Sequence, residues 1–168
     1  MGLPPWSQKN ASMNDEARRA AVIALIGLAG SRDYRDRADA GRALASFAET
    51  PEARGPLLEL VLDAGDTFVT RVTPEALLRR QDAVGLVAIA SALAAADSNH
   101  ADWIQSAVLD VFGVFSRDRD AAVRGCEALT RDHDERVRRG SDQLLDMLTK
   151  IIPSSLPSTE RLNLQSPV

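Results

Sequence analysis

Two histidines, His100 and His133, are the residues of this chain best suited to metal or acid-base chemistry, because carboxylates flank both. Asp97 and Asp102 surround the first, and Asp132, Asp134 and Glu135 surround the second. Brought onto one edge of a fold, the two clusters would make a His/carboxylate metal site. The same acids have an ordinary role at helix starts, where a carboxylate complements the macrodipole without any ligand. That role is the expected one, and neither a metal nor another cofactor is expected. Cys126 has no second cysteine for a disulfide or a Cys-based metal site and no activating base beside it, so it is expected to pack. A Gly-rich phosphate loop, an HExxH helix and a Gly-x-Ser-x-Gly elbow are all missing from the sequence, which lowers the expectation of an enzyme.

The elements that must position these residues are helical. The chain has 168 residues, 45% apolar and 26% charged, with only 4% aromatic, enough for one substantial core. Alternating Val/Ile/Thr runs are absent and helix formers dominate, so the fold class is all-α. The organising stretch is Asp82 to Phe115. Its first arm is apolar nearly all round at Val84, Leu86, Val87, Ile89, Ala90, Leu93 and Ala94, as suits a helix covered on several sides. The second is one-sided, with Ile104, Ala107, Val108, Val111, Phe112 and Phe115 at helical spacing. Periodicity and breakers place the other helices at about 15–29, 34–49, 51–64, 67–81, 118–131 and 134–149. Pro74 is expected to bend or break its helix near Arg71.

Setting the second helix of each hairpin in register exposes an internal repeat of 33 residues. Asp33, Asp66, Asn99 and Asp132 read as helix caps. Gly41, Pro74, Ala107 and Gly140 are small or compact, as expected where helices cross closely. Ala45, Leu78, Val111 and Leu144 form a buried apolar column. Arg71 departs from the pattern, standing where Ala38, Ile104 and Val137 are apolar.

This period, two helices per unit and an Asp cap followed by Val/Arg and Ala-Leu steps, in Asp33 to Leu44, Asp66 to Leu77 and Asp134 to Leu145, resembles HEAT repeats. The resemblance covers residues 14–149 and implies a right-handed α-solenoid of about four antiparallel hairpins. An armadillo- or TPR-like stack is the competitor; TPR is weaker because its Trp-Leu-Gly-Tyr positions are absent. It further implies a concave face lined by second helices, acting as a non-catalytic protein-binding surface. The expected contacts are Arg35, Asp39 and Arg42, then Phe68, Val72, Glu75 and Arg79, then Asp102, Trp103, Gln105 and Ser106, then Arg138, Arg139 and Asp142. Phe68 and Val72 are expected as exposed apolar residues in a polar face, unless a one-residue drift buries them. Trp103 follows Asn99 as Arg37, Thr70 and Arg136 follow their caps, and that polar column predicts partial exposure. An inhibitor or immunity role, in which a small acidic protein masks a basic toxin or enzyme, fits this reading. The alternative is a HEAT-like enzyme of DNA glycosylase or lyase type, using Asp102 and Trp103 or the His100/His133 edge.

A formal charge of −4 makes a nucleic-acid partner or an anionic membrane the less expected choice, and acids interleave the Arg71/Arg79/Arg80 and Arg131/Arg136/Arg138/Arg139 clusters. Cysteine usage points to a reducing, cytoplasmic compartment, and the Arg- and Ala-rich composition to a high-GC bacterial genome. Arg18 and Arg19 before an apolar run imitate an export signal, but Asp15 and Glu16 precede them. The expectation is a monomer binding a protein partner of unknown identity, with a disordered arm at 1–13 and a disordered tail at 150–168.

Overall fold

A computed structural model describes the backbone of residues 5–151 and the side chains of 14–151. Within that range the chain is eight helices without a strand: α1 (Pro5–Ala29), α2 (Tyr34–Ala45), α3 (Pro51–Val61), α4 (Thr67–Leu78), α5 (Ala83–Leu93), α6 (Ser98–Phe112), α7 (Ser116–Leu129) and α8 (Glu135–Thr149). The first helix begins at Pro5, ahead of the expected start at Asp15. Residues 1–4, and the expected tail beyond 151, lie outside the described residues.

Carboxylates start most of these helices. Asp33, Asp66, Asp82, Asp97 and Asp134 each have extended backbone and accept a hydrogen bond from an amide in the first turn, satisfying a donor that the helix itself leaves free. Two expected caps are thereby corrected. Asp97 replaces Asn99 at α6, and Asp134 replaces Asp132 at α8, whose carboxylate instead accepts the Asp134 amide at 2.9 Å. At α6 the carboxylate of Asp97 is a stronger acceptor than the amide of Asn99 two residues on, and at α8 both candidates are carboxylates that accept successive amides, those of Asp134 and Arg136. Gln81, with φ 53, takes the left-handed conformation that turns α4 tightly into α5. Pro74 does not break α4, which runs unbroken from Thr67 to Leu78.

The hairpins share one core, in which Leu44, Leu57, Leu77, Leu78, Ile89, Ile104, Phe112, Leu144 and Leu148 are fully buried. Second helices pack in a row, α2 on α4 and α4 on α6. The last hairpin leaves that row: α8 lies chiefly against α5 and α7, and touches α6 only slightly. Glycine permits both close crossings. A Cβ on Gly41 would fall 2.2 Å from Thr73 Oγ1 of α4, and one on Gly140 would fall 1.7 Å from the Ala90 carbonyl oxygen of α5. Arg139 of α8 adds a hydrogen bond from Nη2 to the Ala94 carbonyl at 2.7 Å.

Ion pairs tie neighbouring units together. Arg37 of α2 makes a two-pronged pair with Asp63 in the α3–α4 loop, Nε to Oδ2 at 2.7 Å and Nη2 to Oδ1 at 3.2 Å. Burial alone would raise the Asp63 pKa, but the Arg37 hydrogen bonds and the amides of Asp66 and Gly65 outweigh it, and the carboxyl is held below its usual range. Arg80 bonds the Ala45 carbonyl at 2.7 Å and the carboxylates of Glu49 and Asp82, joining the end of α2 to the start of α5. Arg71, the polar residue in an apolar column, reaches Asp110 of α6 at 2.8 Å, so it lies at the surface of the row rather than in it.

Candidate functional site

The second-helix residues expected to form one contact surface divide into separate groups. Phe68, at the start of α4, is 43% exposed and meets Tyr34 of α2 edge to face, with ring centroids 6.1 Å apart. Arg42 stacks on Phe68 at 5.2 Å and Arg35 on Tyr34 at 5.1 Å. With Asp39 and Asp66 these residues line a shallow, open cleft at the helix starts. Its carboxylates are already engaged, Asp39 with Arg42 at 2.8 Å and Asp66 with the Phe68 amide.

Val72 is a correction. It is 7% exposed and belongs to the core, because its side of α4 faces inward, so it cannot accompany Phe68 on a surface. Glu75 and Arg79 pair with each other at 2.7 Å across one helical turn. Asp102 is exposed, and its carbonyl accepts the Ser106 hydroxyl at 3.0 Å. Trp103 is half-buried. That matches the partial exposure expected for it, but for a different reason, since with Asp97 as the cap it is Ala101, not Trp103, that corresponds to Arg37 and Thr70. Arg139 sits at the α5–α8 crossing, on a helix that has left the second-helix row.

Three of the carboxylates near the histidines, Asp97, Asp132 and Asp134, accept amides at helix starts. Asp97 accepts the His100 amide at 2.8 Å and contacts His100 Nδ1 at 2.7 Å, and these bonds lower its pKa. His133 is exposed, and its carbonyl accepts from Arg138 at 3.0 Å. Among the described residues no group of three His, Cys, Asp or Glu side chains is arranged to hold an ion. Burial pushes the Cys126 thiol up to about 12, which leaves it an unreactive core residue.

A more enclosed site than the Tyr34–Phe68 cleft is lined by different residues. Between α3 and α5 runs a cleft of about 560 Å³, floored by Leu57, Val61 and Leu77 and walled by Leu58, Val84, Val87 and Ala88. Asp134 and Val137, at the start of α8, close one end, and Glu49 and Arg54 stand at its rim. Glu49 is paired with Arg18 and Arg80. Arg54 is exposed and has no ion-pair partner among the described residues. The cleft exists because the second helices pack closely while α3 and α5 touch less, leaving part of α5 uncovered. Sequence reasoning missed it, although one signal was present. An apolar surface that runs nearly all round a helix exceeds what its neighbours in a single stack can cover.

No protein family, curated protein or solved structure matches this chain. No helix among the described residues is long and apolar enough to cross a membrane.

Proposed function

We propose that this chain is a non-catalytic protein-binding module, a HEAT-like right-handed α-solenoid that receives an amphipathic helix of a partner protein in the cleft between α3 and α5. The observation that carries the reading is the open apolar cleft itself, lined from four helices with Leu58, Val84, Val87 and Ala88 on its walls. Its apolar lining is the chemistry of the grooves that accept one helical face through apolar anchors at i, i+3, i+4 and i+7. Arg54 at the rim fits an acidic residue on the partner helix. In this reading the module acts as a monomer in the cytoplasm, and an inhibitor or immunity role is the sharper form of it.

Affinity capture with the intact chain and with a Val87→Glu variant tests the reading. A discrete partner retained by the first and lost by the second, with both proteins equally helical by circular dichroism, is the expected outcome. Equal retention by both contradicts it.

A further inference from the structure

The loops that lead into α2 and α8 share the same backbone and arginine hydrogen bonds, although Ser31 Oγ also donates to Asp36 at 2.7 Å, a bond the Asp132 carboxylate does not make. Before α2, Ser31 Oγ accepts from the Asp33 amide at 3.1 Å, and the Asp33 carboxylate accepts from the Arg35 amide at 2.9 Å. Before α8, the Asp132 carboxylate accepts from the Asp134 amide at 2.9 Å, and Asp134 accepts from the Arg136 amide at 2.8 Å. An arginine follows each cap by one helical turn. Arg37 Nη1 donates to the carbonyls of Ser31 and Arg32, each at 3.1 Å, and Arg138 Nη1 donates to those of Asp132 and His133 at 2.9 and 3.0 Å.

A guanidinium is planar, so two carbonyls gripping the same nitrogen constrain where its remaining donors point. The Nε–Nη2 edges of Arg37 and Arg138 therefore bear the same relation to their own helices. In Arg37 that edge is filled by Asp63, and the pair is nearly covered, with side chains 15% and 11% exposed. In Arg138 no carboxylate among the described residues fills it. One clamp is complete, and the other has no carboxylate among the described residues.

We infer that Arg138 is a receptor for a carboxylate, supplied by an Asp or Glu of a partner protein that docks beside the start of α8 as the α3–α4 loop docks on α2. A second copy stacked head to tail does not supply it. Three residues before the α4 cap stands Asp63, whereas three before the α2 cap, where an incoming copy would present its acid, stands Gly30. The partner is the one the protein-binding reading calls for, so the inference rests on that reading for its source. The receptor itself is defined by Arg138 alone, and the two fail separately.

The full chain, with nitrogen-15 in its arginines, is titrated with acetate and, in parallel, with chloride at equal ionic strength, and the Nε–H signals are followed. The Arg138 signal is expected to move saturably with acetate, several-fold more than with chloride, while the Arg37 signal stays in place. Arg138→Lys removes the response and leaves the circular dichroism spectrum unchanged, because lysine keeps the charge but not the fork. Asp63→Ala opens the first clamp and makes Arg37 respond as Arg138 does. Three results would overturn the inference: no acetate response at Arg138; an Arg138 signal that depends on protein concentration without acetate, which assigns the carboxylate to a second copy; or one that changes on Glu160→Gln without acetate, which assigns it to the chain's own residues.

Discussion

The row of second helices and the cleft between α3 and α5 are two sides of the same hairpins, held in different ways. Across the row, polar groups bind one unit to the next: Arg37 to Asp63, Arg71 to Asp110, and Arg80 to Glu49, Asp82 and the Ala45 carbonyl. The cleft side has apolar walls, with Glu49, Arg54 and Asp134 at its margins. A surface whose ion pairs are closed within the chain offers a partner little new. An apolar surface exposed to water gains about 25 cal/mol for each Å² that a partner covers. On the proposed reading, the difference puts the binding energy on the side that the repeat columns did not indicate.

The largest expected effect is at the crossing that takes α8 out of the row. Gly140→Val drives a branched side chain into the Ala90 carbonyl and should cost about 3 kcal/mol or more in chemical unfolding. Gly41→Ala meets the side chain of Thr73 rather than backbone and should cost about 1 to 2 kcal/mol. If the two losses prove equal, the last hairpin does not depend on the α5–α8 contact.

Next in size is the closed clamp. Asp63→Ala leaves the Arg37 charge without its carboxylate and should cost about 3 kcal/mol, whereas Arg138→Met, at the open clamp, should cost under about 1 kcal/mol. The pH dependence has a definite sign. Because the Asp63 pKa is lowered on folding, its contribution is fully present above the unfolded-state carboxyl pKa of about 4 and fades as the pH falls through the folded value. Denaturation curves of the parent and of Asp63→Asn should therefore converge on acidification. Asp82, also lowered, adds a loss of the same sign in both proteins.

Those residues also show how far the sequence could be read. All eight helices follow from apolar periodicity and breakers, and the caps Asp33 and Asp66 from an acid just ahead of each apolar pattern. The α8 cap was legible as one of two, Asp134 from the unit Asp134 to Leu145 and Asp132 from the 33-residue column, whereas the α6 cap was misplaced because Asp97, Ser98 and Asn99 offer several acceptors side by side. The slip at α6 removed the basis for aligning Trp103, and the 33-residue column set Arg136 rather than Arg138 opposite Arg37. Gly140 announced a close crossing but could not name its partner helix, so the departure of α8 from the row was invisible. The Phe68 cluster was legible in part. Arg35, Asp39, Arg42 and Phe68 do come together, while Val72 turns inward.

A smaller effect is expected inside the row. Thr73 is fully buried and its hydroxyl has no hydrogen-bond partner among the described residues, so Thr73→Val keeps the shape and removes an unsatisfied group. Thermal melting should show a gain of about 1 kcal/mol. A loss of similar size would mean that the hydroxyl is bonded, and that the Gly41 crossing is partly polar.

The most direct measurement compares the two sides by site-specific photo-crosslinking, with the reactive group placed at Val87 in one protein and at Phe68 in another. The expected result is a discrete product with a partner protein from Val87, abolished by Val84→Glu, and none from Phe68. A product from Phe68 alone would contradict the account and move the binding site to the Tyr34–Phe68 edge of the second helices.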